Sequence, residues 1–108
     1  MPKFLIEASY TAEGLKGLQK EKAASRKAMV TKMVKNLGGE VEVFYWSFGD
    51  RDAVTILDLP DTTTATALAF TISSSGMVHT KTTTLFTAEE VDQALKKTVR
   101  YRAPGKKA

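Results

Sequence analysis

The period of the apolar positions changes several times along this chain, and each change marks a predicted element. Residues 3–10 alternate, placing Phe4, Ile6, Ala8 and Tyr10 on one side of a first strand. From Glu13 the period lengthens: Met29, Val30, Met33, Val34 and Leu37 recur at helical spacing, with Arg26, Lys27, Lys32 and Lys35 off the stripe. Gly14 and Gly17 weaken the beginning of this segment, so a short turn around Leu15 and Leu18 is expected ahead of the main helix. Gly38 and Gly39 stop it, because glycine accepts the left-handed backbone that closes helices. Residues 40–48 are the most β-prone. A turn at residues 49–52 and a second strand over 53–59 make 40–59 a hairpin. Pro60 ends it, and Asp61 is placed to cap a helix carrying Ala65, Leu68, Ala69 and Ile72. Residues 73–76 break that helix, and the threonine-rich stretch 77–86 reads as a strand. Thr87 and Glu90 have capping-box spacing and open a final helix with Val91, Ala94, Leu95 and Thr98 on one side.

The order is β-α-β-β-α-β with a closing helix. Two right-handed βα crossovers around a hairpin predict an α+β fold: a ferredoxin-like plait, with a four-stranded antiparallel sheet and helices on one face. Residues 1–103 make one domain, and 104–108 a short basic tail. Helices cover only one side of such a sheet, yet its strands are apolar on both. Strict alternation sends Val41, Val43 and Tyr45 one way and Phe44, Trp46 and Phe48 the other, while Val54 and Ile56 oppose Leu57 and Leu59. A sheet wetted on one side should alternate with polar residues instead. Phe44, Trp46 and Phe48, with Leu5 beside them, are therefore the candidate interface of a homodimer or higher even oligomer, in which two sheets pack face to face as a dimeric α/β barrel. The alternative is that the closing helix or the tail folds across the open side. Base stacking on the aromatics is a third reading, but residues 53–58 of the third strand contain no aromatic, which argues against an RNA-binding plait.

Composition narrows the chemistry. The 108 residues contain no cysteine and one histidine, which excludes disulfides, thiolate metal sites and a multi-histidine centre within one chain. No cofactor and no metal are expected. The formal charge of +4 is concentrated at the end: four of sixteen basic residues (Arg100, Arg102, Lys106, Lys107) lie in the last nine positions, leaving the rest neutral. A short basic end is usually a solvated tail, so nucleic acid is not an expected partner. Nor is a membrane. The N-terminus has no apolar run of signal-peptide length, and a cytoplasmic protein is expected.

The small bacterial GYD-domain proteins resemble this chain in the order and spacing of several short motifs. These are Ala8-Ser9-Tyr10-Thr11, Glu13-Gly14, Gly38-Gly39, Phe44-Tyr45, Phe48-Gly49 with Asp52, Asp58-Leu59-Pro60-Asp61, Ser75-Gly76, Lys81-Thr82-Thr83 and Leu85 through Glu90. The resemblance covers residues 1 to about 104. It implies a ferredoxin-like, dimeric α/β-barrel protein of uncharacterised function. Gly49 and Asp52 match the family's Gly-Tyr-Asp signature, with Arg51 where the family usually has the aromatic.

Three polar residues are candidate ligand contacts: Tyr45, Asp52 and His79. Asp52 has two readings, as a turn residue bonding nearby amides or as a general base or polar anchor beside Arg51. His79 is the one histidine, the side-chain type that ordinarily changes charge near neutrality, and is a structural or surface strand residue, an acid–base group or a single axial haem ligand. No catalytic residue is assigned. The chain contains no glycine-rich phosphate loop, nucleophile elbow or zinc-helix motif. Two functions stay open. One is a small-molecule-binding or regulatory module with a small apolar ligand held between sheet and helices. The other is a cofactor-light enzyme, an oxygenase or isomerase, using the same pocket.

Overall fold

The computed structural model describes residues 1–107. Strand β1 (Lys3–Tyr10) leads into helices α1 (Ala12–Glu21) and α2 (Ala23–Asn36). Strands β2 (Glu40–Trp46) and β3 (Ala53–Asp58) form the hairpin, followed by α3 (Thr62–Ser74), β4 (Val78–Leu85) and α4 (Ala88–Leu95). All strand pairs are antiparallel, in the spatial order β2-β3-β1-β4. That is the ferredoxin-like order, with the hairpin strand β3 and β1 in the centre. Phe4, Ile6, Leu57 and Leu59 from the sheet and its exit pack with Val34, Ala65 and Leu68 of α2 and α3 to make the core. The expected stripe of the long helix is narrower in fact: Val34 is fully buried, Val30 and Met33 pack against the core, and Met29 and Leu37 look outward.

Local chemistry explains the boundaries. The Thr11 hydroxyl accepts the Gly14 amide at 3.1 Å and caps α1. Thr11 also donates its own amide to the Met77 carbonyl at 2.9 Å, pinning α1 to the start of β4. A side chain at Gly14 would collide with that carbonyl, so glycine is required by close approach. What the sequence suggests as a short turn before the main helix is a ten-residue helix, separated from α2 by Lys22 at φ 79°. The expected caps of the later helices form. Asp61 accepts the Thr64 amide at 2.7 Å, and the Thr64 hydroxyl and amide hold the Asp61 carboxyl below its ordinary range. Thr87 and Glu90 exchange both bonds of a capping box, at 3.1 and 2.9 Å.

The sheet corrects one expectation. Val41 pairs with Leu57, but the next pair is Val43 with Ile56, so Glu42 and Val43 together face one residue in a β-bulge. Beyond the bulge the facing of β2 is reversed relative to strict alternation. Phe44 sits opposite Thr55 and Trp46 opposite Ala53, both buried positions on the helix side. Phe44 and Trp46 therefore do not belong to the open side of the sheet. Phe48 lies past the strand in the hairpin turn, fully exposed. The open side carries Leu5, Val43, Tyr45, Val54 and Ile56, with His79, Lys81 and Thr83 on the β4 edge. At one end Lys3 bridges Glu42 at 2.7 Å and Asp58 at 2.8 Å, and these bonds, Asp58 first, raise its pKa above the ordinary lysine value.

The closing helix does not cover the open side. None of the residues of α4 is buried. The radius of gyration is 17.6 Å, against about 13 Å for a compact chain of this size. The extents of 60 × 31 × 23 Å describe a body with an arm.

Candidate functional site

Helices α2 and α3 do not fill the whole helix side of the sheet. At the hairpin end, an apolar pocket of about 60 Å³ remains between them and the strands. Its floor is Ile6, Ala8, Phe44, Ala53 and Thr55; Val30 and Met33 of α2 and Leu68 and Ile72 of α3 close it from above. Tyr10, Arg26 and Thr80 supply the polar rim. A shallow groove of about 160 Å³ adjoins it under α1, sharing Tyr10, Arg26 and Val78. Arg26 thus stands between two apolar hollows. Among the described residues its ion pair is a long one, 3.6 Å from Nη1 to Glu21 Oε1 across the break between α1 and α2. A half-exposed guanidinium with so loose a partner is able to turn toward an anion.

Aromatic side chains build the wall at the hairpin end. The rings of Phe44 and Trp46 lie 5.5 Å apart, and those of Trp46 and Tyr10 5.9 Å apart, in tilted arrangements. The bulge makes this wall, because it turns Phe44 and Trp46 to the helix side.

Asp52 fastens the hairpin to β1. Its carboxylate accepts the Tyr10 amide at 2.7 Å, and its own amide donates to the Ala8 carbonyl at 2.8 Å. Its carbonyl accepts the Ser47 amide at 2.9 Å, and Arg51 donates to the Ser9 hydroxyl at 3.3 Å. The structural reading of Asp52 accounts for each of these bonds. Tyr45 is 70% exposed on the open side of edge strand β2. His79 is exposed on the same side, at the opposite edge, paired in register with Ser9 of β1. Three strand spacings separate those edges, about 14 Å. The three candidate ligand residues do not come together, and none of them lines the pocket. Among the described residues, no three His, Asp or Glu side chains gather as a metal site, and no helix is long and apolar enough to cross a membrane.

The residues that do rim the pocket were hidden in the sequence for a simple reason. Arg26 reads as one more solvated charge in a basic helix. Its spacing of four and seven residues from Val30 and Met33 is the signal that puts it on the edge of their stripe. No curated protein and no solved structure matches the chain significantly. The GYD domain model matches residues 4–95, from the first core residue of β1 to the last residue of α4, and the chain belongs to the GYD-domain family.

Proposed function

We propose that the protein is a small-molecule-binding module, working as a homodimer in which a second copy covers the open side of the sheet. The pocket beneath α2 and α3 carries this reading: apolar walls, with a loosely partnered arginine at the mouth. Pockets of this type fix a ligand by burying its apolar part and meeting one polar group. The size restricts the ligand class. The adjoining groove, at about 160 Å³, is comparable with cavities of roughly 150 Å³ that accept benzene, and far from the ~300 Å³ or more of drug-sized sites. A small ring or short chain with an anionic head fits, its head on Arg26. Binding is favoured over catalysis because the pocket's own lining holds no carboxylate or imidazole, and Glu21, the one carboxylate lining the adjoining groove, is the ion-pair partner of Arg26.

Benzoate and toluene, equal in ring and different in charge, are the probes. Benzoate is expected to raise the melting temperature more than toluene, and Arg26→Gln to weaken benzoate about tenfold or more. Equal responses to the two, or an unchanged benzoate affinity in Arg26→Gln, would remove the anionic head from the reading. No response to either probe, with no retained mass in native mass spectrometry, would remove the binding function.

A further inference from the structure

We infer that residues 86–101, the arm made by α4 and the segment after it, dock on a second copy of this chain, over the β2–β3 half of its open sheet. The inference rests on the homodimer proposed above and names the part of the partner that does the covering.

The arm carries an apolar stripe, and none of its described residues is buried. Phe86, Val91, Leu95, Val99 and Tyr101 follow one another at spacings of two to five residues, and their exposures run from 45% to 79%. A full capping box fixes where the helix begins, which sets the orientation of Val91 and Leu95, the two stripe residues inside it. A second uncovered apolar surface is Leu5, Val43, Tyr45, Val54 and Ile56 on the open side. The two surfaces leave from opposite edges of the sheet. The arm follows β4, whose open-side positions are His79, Lys81 and Thr83, with Leu85 at its end, whereas the patch is centred on β2 and β3. An arm standing out along a 60 Å axis is placed to reach another molecule rather than to fold back across its own sheet.

Charge acts locally rather than overall. Residues 86–101 are formally neutral, with Glu89, Glu90 and Asp92 in α4 and Lys96, Lys97 and Arg100 after it, and residues 1–85 hold ten basic and nine acidic side chains. The receiving side is edged by Glu40, Glu42 and Asp58, with Lys3 between the last two. The attraction is between the basic end of the arm, Lys96, Lys97 and Arg100, and those carboxylates on another copy. Size is adequate too. Phe86 and Tyr101 each offer roughly 150–250 Å², so two reciprocal arms with the patches beneath them come to the ~1,200–2,000 Å² of a stable contact. A nucleic acid would satisfy the basic residues but leave the apolar stripe in water, so a protein surface is the better occupant.

Sedimentation equilibrium on three proteins tests this. The wild type is expected at twice the chain mass in the micromolar range. Val91→Asp with Leu95→Asp damages only the arm, and Ile56→Asp only the receiving face; each is expected to weaken the dimer about 100-fold or more. Circular dichroism checks that both variants are folded. Mixed in equal amounts, the two variants should regain dimer mass, because one intact arm then meets one intact face. A wild-type dimer that survives the arm variant, or a mixture that stays monomeric, overturns the arm contact and leaves the homodimer standing. A wild type at single-chain mass overturns both. Binding of a 20-base-pair DNA at 150 mM salt that vanishes with residues 96–108, together with single-chain mass, assigns the arm to nucleic acid instead.

Discussion

The two sides of this sheet are built from the same strands and have opposite fates. On the helix side, Phe4, Leu57 and Leu59 are at most 2% exposed and meet side chains from α2 and α3. On the other, Leu5, Val54 and Ile56, their immediate sequence neighbours, stay half-exposed, and Tyr45 is largely so. Hydrophobicity alone does not separate Ile56 from Leu57. What separates them is the crossover rule, which puts each βα unit's helix on one side of the sheet and leaves the other side without helices. The one device that moves residues between the sides is the bulge at Glu42 and Val43. It takes Phe44 and Trp46 off the open side and places Phe44 in the lining of the pocket.

The largest expected effect lies on the covered side. Leu57→Ala should cost about 2–5 kcal/mol, the range for emptying a packed leucine site, read as a lower urea midpoint with unchanged slope. A loss below about 1 kcal/mol would mean that the helix side is not the core. Next comes the link between hairpin and β1. Asp52→Ala removes the acceptor of the Tyr10 amide and should cost about 1–2 kcal/mol, with Asp52→Asn recovering most of it through its amide oxygen. An Asp52→Ala melting curve that matches the wild type would leave the structural reading of this residue without support. The smallest effect is the sharpest on the comparison itself. Deleting Glu42 removes the bulge and returns β2 to a regular strand, with Val43 still outward and Phe44 and Trp46 still toward the helices. Stability should shift by less than about 1 kcal/mol, and the Trp46 emission maximum should stay where it is. Deleting Tyr45 instead should throw Trp46 to the open side and shift its emission to the red.

Much of the architecture follows from local signals. Apolar periods locate the strands and the main helices, and Asp61, Thr87 and Glu90 start their helices where their side chains predict. These features depend on residues three or four apart, so the chain states them directly. The GYD resemblance is equally legible, because it lies in the order of short motifs. The candidate site was harder to read. Tyr45, Asp52 and His79 stand out by chemistry, but their distance from one another depends on which strands are neighbours. Arg26 does not stand out, and becomes a site residue only because α2 crosses the strands at the hairpin end.

Two properties were decided by the tertiary structure alone. The first is the facing of β2. Seven residues of a strand look the same in sequence whether one of them is extra or not, and only pairing with β3 shows that Glu42 is the one. The second is the position of α4. Its cap, length and apolar stripe are set locally, so the sequence determines that it is a helix with a face to bury. Where that face goes depends on the surface available to it, and its own chain does not provide one, because the path after β4 carries the helix away from the sheet.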